Sequence, residues 1–557
     1  MKHKNIYLKL FLITLFAFLI RFMCINKPEG LWNDEYISWY ISTQPLFTEF
    51  INAVFKNCHM PFYYCYLKIW QFVFGSSDFY LRISSLIPGV LSVISMFFVG
   101  KKLKDDNCGL LCALFTACSG FLVYFSQEVR FYSILFLFSS LSLLFTLNLI
   151  ENQSRKNYIL FCCSNIFIML THTIGFVFVF FDFLFLFTLL KKQNKISNKT
   201  IFLIIGATIV SMLPFAPFLY KTLTASYISQ FWSDFSFTKL FFVFADYVSP
   251  IQINIINTPI NVTAFLFKGG KFNYNYFIFA VIPLLIAAIA IINALIIKSS
   301  EKIRLISVWA FCTLIIMIIA SLTGKMVLIT KYTVEIYPIF IAITAIGLYN
   351  LRPEIVRTLF VLCFFGLSFF YLSMSDSAPQ KLNRSEGHKL AADLMIKADL
   401  KKNDKILLIY YHTDRFGKYI NTSDYYIDSV TKYNFQYKLM HNPPQHFEVI
   451  QNGKEMFFDS FKSSDNEFFD RFLKEQFFDT MQKGDKFALV SLNSVAFINQ
   501  KRMQSIVNNE ALYKRIPFLF LIFSHIANIT QQQADKYLKP VFNEKSGMWE
   551  IFVWEKV

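Results

Sequence analysis

The sequence predicts a mainly α fold, a polytopic bundle of about eleven transmembrane helices followed by a C-terminal extracytoplasmic α/β domain. Three observations predict it. Hydrophobic residues make up 55% of the 557 positions, Phe alone fills 68, and mean hydropathy is +0.44. Apolar runs recur near the roughly 20 residues that a helix needs to cross a hydrocarbon core of about 30 Å. After Phe370 the composition turns to Lys, Asp, Asn and Gln. A soluble chain of this length divides instead into several domains with polar surfaces.

The runs fall at 5–25, 82–100, 107–125, 131–150, 157–171, 173–190, 200–220, 274–297, 303–322, 329–349 and 355–374. The 60–74 stretch (Met60-Pro61-Phe62-Tyr63-Tyr64) is apolar but short, and reads as a re-entrant or interfacial helix. The first run lacks the small-residue site of a cleaved signal peptide, so it reads as a retained anchor. It leads straight into a polar island, Trp32-Asn33-Asp34-Glu35-Tyr36.

Charge orients the bundle. The net charge of +17 could point to nucleic acid, but its distribution excludes that reading. With the N-terminus in the cytoplasm, the inner segments carry Lys2, Lys4, Lys101, Lys102, Lys104, Arg155, Lys156, Lys191, Lys192, Lys195, Lys199, Lys298, Lys302, Arg304, Arg352 and Arg357. The short outer segments carry only Arg130, Lys325 and Lys331. That is the positive-inside asymmetry. It places the polar island, the 221–272 loop and everything after 376 outside a plasma (inner) membrane.

The expected domains are a membrane domain, 1–375, with external segments 26–81 and 221–272, and a soluble domain, 376–557. In 26–81, Tyr36, Trp39 and Tyr40 are spaced to share one face of a short interfacial helix. In 221–272, Phe231, Trp232, Phe235 and Phe237 alternate with polar residues before Gly269-Gly270, and a second interfacial helix is expected there. The soluble domain shows strand-like runs at 406–411, 487–492, 516–524 and 549–554, with helix-like stretches at 386–398 and 466–482. No internal repeat is visible, which disfavours transporters built from duplicated halves. All ten cysteines precede residue 364, so the soluble domain is not a disulfide scaffold. Cys58 and Cys65 read as ordinary thiols, and no Cys/His spacing marks a zinc site.

The chemistry-bearing residues lie on the outer side. Asp34 and Glu35 read either as solvated acids capping a helix or as a general base or metal contact at the membrane surface. Arg130, in Gln127-Glu128-Val129-Arg130-Phe131-Tyr132, is an outward Arg whose planar fork suits a phosphate. Lys331-Tyr332 opens the tenth run and could bind a phosphate head. His59, Gln127, Glu128 and His172 are candidate substrate contacts. Asp182 is the lone mid-span acid, either a proton path or a hydrogen-bonded structural acid. His412 and Asp414-Arg415 lie near a strand end with no partner in view.

In combination these residues carry a resemblance. The acidic pair, the His59-Met60-Pro61 segment and Gly75-Ser76-Ser77-Asp78-Phe79-Tyr80-Leu81-Arg82 recur in the same order in the multispan lipid-dependent (GT-C type) glycosyltransferases. These include the protein O-mannosyltransferases, the lipid A aminoarabinose transferase and the lipopolysaccharide-core sugar transferases. Ser126-Gln127-Glu128-Val129-Arg130-Phe131-Tyr132-Ser133 is similar to their SQEARxYS segment, and Thr330-Lys331-Tyr332 with Tyr337-Pro338 to their late RY…P motif. Two departures stand out: His59-Met60-Pro61 replaces His-Pro-Pro, and Lys331 replaces Arg, keeping charge but losing the fork.

The resemblance implies a polyprenyl-phosphate-linked sugar donor and a hydroxyl acceptor on a lipid, glycan or protein. It implies inverting single displacement on the extracytoplasmic face, among membrane lipids and with no nucleic acid. Asp34 would act as base, with Glu35 supporting it or, with Asp34, contacting a divalent metal ion. Arg130, Lys331 and Tyr332 would sit at the donor phosphate. Two rivals remain: a transporter or flippase coupled through Asp182, and an envelope glycan ligase or polymerase.

Overall fold

The computed structural model describes residues 2–28, 30–224, 237–248, 267–268, 271–272, 277–297, 300–323, 327–374, 387–400, 404–409, 426–429, 434–435, 446–451, 454–459, 473–475, 477–492, 527–528, 530–546 and 549–557. These form two compact units, Met1–Asn26 with Ile37–Leu382, and Lys27–Tyr36 with Asn383–Val557.

The first unit is helical. Asn5–Phe22, Asp78–Leu103, Tyr132–Glu151, Asn198–Thr224, Glu301–Leu322 and Glu354–Ser373 are long and apolar enough to cross a membrane. Asp106–Cys118, Ile282–Ile296 and Tyr337–Tyr349 are shorter apolar helices. At its centre the Asp78–Leu103 helix packs against Asp106–Cys118 and Tyr132–Glu151. Small residues permit the close crossings that membrane helices rely on. A Cβ on Gly347 would fall 1.8 Å from the Ala290 carbonyl oxygen, and Asn293 Nδ2 donates to the Gly347 carbonyl at 2.7 Å. Backbone cannot yield as a side chain can. Gly347→Ala is therefore expected to cost about 1–3 kcal/mol or more through overpacking, read as a lower melting temperature in detergent.

Several apolar runs resolve into more than one element. The 107–125 run divides at Ser119, whose hydroxyl accepts from Leu122 N at 3.2 Å and caps a new helix, Gly120–Phe125. The 200–220 run bends through a 3-10 turn at Leu213–Phe215, where Pro214 supplies no N–H. Lys331-Tyr332 does not start a helix but lies in a 3-10 turn, Thr330–Thr333; the helix begins at Tyr337 with Pro338 in its first turn. In 26–81 three short helices form: Asn33–Thr43, Phe47–Lys56 and Phe62–Phe74. Phe62–Phe74 buries Tyr63, Tyr64 and Leu67 while Phe72 is 92% exposed, as an interfacial or re-entrant helix requires. The expected shared aromatic face is split, with Tyr36 buried and Tyr40 exposed. Of the 221–272 loop, a Phe237–Val248 helix and a two-stranded hairpin are described; Phe231, Trp232, Phe235 and Gly269-Gly270 lie outside the described residues.

Two buried charges are settled by hydrogen bonds. Arg21 donates from Nη1 to the Ala17 and Ala117 carbonyls (3.2 and 3.0 Å), from Nη2 to Thr116 O (2.8 Å) and from Nε to Ser126 Oγ (3.2 Å). It thus meets the negative end of the Asp106–Cys118 helix. Asp182 accepts from Ser142 (2.6 Å), Thr146 (2.7 Å) and Asn165 (3.0 Å) at zero exposure. All ten cysteines, Cys58 and Cys65 included, are free thiols.

In the second unit, Lys405–Ile409 runs parallel to Tyr426–Ser429 and Lys486–Leu492, and Trp549–Glu555 and Lys539–Ser546 extend the sheet antiparallel. A separate antiparallel sheet joins Asn434–Phe435, His446–Gln451 and Lys454–Asp459. Trp549, Ile551 and Val553 alternate into a core with Phe487, Leu489 and Ala391 of the His388–Lys397 helix. Within 466–482 the described elements are short, residues 473–475 and a 3-10 turn, Phe478–Thr480. The expected strand at 516–524, with His412 and Asp414-Arg415, lies outside the described residues.

Candidate active site

The 126–131 segment is a fully buried turn linking Gly120–Phe125 to Tyr132–Glu151. Its shape is held at several points. Gln127 Nε2 donates to the Arg21 and Met23 carbonyls at 2.8 and 2.6 Å, tying the turn to the end of the first helix. Arg130 N donates to Glu128 O at 2.7 Å, and Ser133 Oγ to Phe125 O at 2.9 Å. Arg130 is 6% exposed; its Nη1 donates to Ser38 Oγ at 3.3 Å, and its guanidinium carbon lies 5.2 Å from the centre of the Phe131 ring. Glu128 is buried beside it in the chain.

Phe131 gathers the other predicted residues. Its ring stacks 5.2 Å from His172, and meets His59 edge-on at 6.3 Å and Tyr63 at 6.1 Å. The His172 ring lies 5.4 Å from Tyr332, and Lys331 Nζ sits 5.4 Å over the Tyr332 ring. Arg130, His59, His172, Tyr332 and Lys331 therefore form one aromatic-linked cluster, although 272 positions separate His59 from Lys331 (331 − 59). Burial holds the Tyr63 phenol well above its ordinary range despite the Arg130 charge, so Tyr63 is a hydroxyl donor.

Neighbouring helices fix the Lys331 turn. Thr330 Oγ1 donates to Asp246 Oδ2 at 2.7 Å, and Tyr247 OH donates to Thr333 O at 2.7 Å. Tyr247 stacks 4.2 Å from Tyr337, whose hydroxyl bonds to the Tyr247 carbonyl and, at 2.7 Å, to Ser119 Oγ. His172 caps the Arg155–Thr171 helix, and its Nδ1 lies 2.6 Å from Glu335 Oε1. Glu335, 1% exposed, escaped the sequence reading. The rule that singled out Asp34, an acid placed against an apolar helix, applies to it equally.

Asp34 and Glu35 belong to the other compact unit, in the first turn of the Asn33–Thr43 helix. Their environments differ. Glu35 is 2% exposed and its Oε2 accepts from Trp32 N at 3.1 Å, the reach-back half of a capping box. Asp34 keeps intermediate exposure. Among the described residues no group of three or more His, Cys, Asp or Glu side chains could hold a metal ion.

Residues 58–220 match the dolichyl-phosphate-mannose-protein mannosyltransferase family. No curated protein sequence matches the chain. Among solved structures, ArnT from Cupriavidus metallidurans in the apo state aligns with a TM-score of 0.52 at 10% identity, covering 97% of each chain. The same protein bound to undecaprenyl phosphate gives 0.50 at 11% identity, again over 97% of each. The apo oligosaccharyltransferase of Archaeoglobus fulgidus gives 0.50 at 13% identity, over 99% of this chain and 74% of that one. At such identities the likeness speaks for the fold alone. The chain is a multispan membrane protein, with six described helices long and apolar enough to cross a membrane, that shares the fold of ArnT, and the dolichyl-phosphate-mannose-protein mannosyltransferase family's model matches its residues 58–220.

Proposed function

We propose that the protein is an integral-membrane glycosyltransferase that moves a hexosyl or pentosyl unit from a polyprenyl-phosphate donor to a hydroxyl of a lipid, glycan or protein. One observation carries the reading: Arg130 and Lys331, cations from distant parts of the chain, are linked through the Phe131, His172 and Tyr332 rings. Two cations bracketed by aromatic rings suit a phosphate carried on a lipid.

The chemistry follows from the groups present. Asp34 removes the proton from the acceptor hydroxyl as its oxygen attacks the anomeric carbon from the face opposite the phosphate. The bond from that carbon to the phosphate oxygen breaks, its electron pair leaves on the lipid phosphate, and the anomeric centre inverts. Arg130, Lys331 and the Tyr332 hydroxyl meet the charge gathering on the leaving group. A positioned base supplies about 10²–10⁴-fold and leaving-group stabilisation about as much. About eleven spans, a cytoplasmic N-terminus, an extracytoplasmic 376–557 domain and residence in the plasma membrane complete the reading.

Mass spectrometry of envelope lipids, glycans and proteins from cells with and without the protein tests this. Loss of a single-sugar increment from one acceptor class is expected. Loss of whole oligosaccharide blocks would favour a ligase or polymerase, and no change in any fraction would remove the reading. Asp182 argues against a coupled transporter, since three neutral donors already satisfy it. Asp182→Asn is expected to keep transfer near the wild-type rate and to lose at most about 1–3 kcal/mol of stability, checked by the same increment and by thermal melting.

A further inference from the structure

We propose that Glu335 is a positioning residue that makes His172 a third, proton-linked donor at the lipid-phosphate subsite; the inference rests on the polyprenyl-phosphate reading above. The His172 ring is held on three sides. Phe131 stacks against it at 5.2 Å and 29°, Tyr332 lies at 5.4 Å and 38°, and Glu335 Oε1 engages Nδ1 at 2.6 Å. Nε2 is the polar atom left for a ligand, and the side chain retains 11% exposure while Glu335 keeps 1%. Phe131 and Tyr332 directly follow the two phosphate-binding candidates, Arg130 and Lys331, in the chain. A ligand bound by those cations is therefore within the neighbourhood of this imidazole.

The carboxylate defines what Nε2 can do. An ionised carboxylate only accepts, so Nδ1 carries the hydrogen between them. Nε2 then donates to a phosphate oxygen only when the ring takes a second proton. Glu335 offsets that charge, and among the described residues its Oε2 has no hydrogen-bond partner that would dilute it. The pair thus aims Nε2 at the ligand, and the protonated ring is the form that donates to a phosphate oxygen. Other charged or titratable groups on the surrounding elements are Lys331 and Tyr332 in the same turn, Glu128 and Arg130 beside Phe131, His59 and Tyr63 against that ring, and Asp246 and Tyr247 on the Phe237–Val248 helix. Lys331 and Arg130 bring charge to the phosphate whatever His172 does, so the dyad adds to their binding and does not replace it.

The test measures undecaprenyl phosphate binding to the full-length protein in lipid nanodiscs between about pH 6 and 8. Glu335→Gln and His172→Asn are each expected to weaken binding about tenfold at the acidic end and to flatten the pH dependence alike. The double variant is expected to lose no more than either single one, as for two groups acting as a unit. Additive losses, or a Glu335→Gln profile identical to wild type, would overturn the inference while leaving the phosphate site standing. Failure of the wild-type protein to bind the lipid at all would overturn both. Should Glu335→Gln fold poorly, His172→Asn alone carries the test, because retention of the wild-type pH dependence in that variant contradicts the proposal.

Discussion

Asp34→Asn is expected to abolish sugar transfer while the protein stays in the membrane at wild-type abundance. The substitution changes almost nothing but chemistry. Asp34 occupies the first turn of the Asn33–Thr43 helix with intermediate exposure, where Asn has the same shape. The charge lost at a helix N-terminus is worth about 0.3–1 kcal/mol, too little to unfold the chain. The base lost from the proposed displacement is worth about 10²–10⁴ in rate. Glu35→Gln is the contrast, since it keeps an acceptor oxygen for Trp32 N–H and is expected to cost far less. A full single-sugar increment in cells carrying only Asp34→Asn would remove Asp34 from the mechanism.

Arg130→Ala carries the second large effect, expected at about 10²–10³ in the rate constant for transfer. The guanidinium is 6% exposed, hydrogen-bonded to Ser38 and laid against Phe131, so its direction is set before any donor arrives. Arg130→Lys should recover only part of the loss, because an ammonium is a point charge without the planar fork that engages two phosphate oxygens. Rate and affinity separate the roles. If Arg130 acts on the leaving group, kcat falls as much as kcat/KM; if it only holds donor, KM rises with kcat unchanged. The turn's other anchors, Gln127 to the first helix and Ser133 to Phe125, remain in place in either variant and report whether the fold survives.

Much of the helical unit was legible because bilayer spans advertise themselves by length and apolarity, and Asp78–Leu103 and Tyr132–Glu151 lie where the apolar runs predict. Hydropathy could not show the break at Ser119, which sits inside apolar sequence and is set by one cap, or that the helix after the Lys331 turn begins only at Tyr337, with Pro338 in its first turn. In the second unit the buried strand Trp549–Glu555 was readable from its alternation, whereas Lys539–Ser546, a polar and largely exposed edge, gives no apolar signal. Within the candidate site, Arg130 and Lys331 stood out as cations against the inside bias, and Phe131 joins them in the structure through His172 and Tyr332. Glu335 and Arg21 could be seen in the sequence as charges in apolar runs, but their roles could not. Each is identified by partners far away in sequence, His172 for one and the Thr116 and Ala117 carbonyls for the other, and no local pattern records such a pairing.

The most direct measurement is a cryo-electron microscopy map of the protein in nanodiscs with undecaprenyl phosphate bound. The account predicts the phosphate within hydrogen-bonding distance, about 2.7–3.2 Å, of Arg130, Lys331 and His172. A lipid phosphate held elsewhere, with Arg130 and Lys331 turned away from it, would contradict the account.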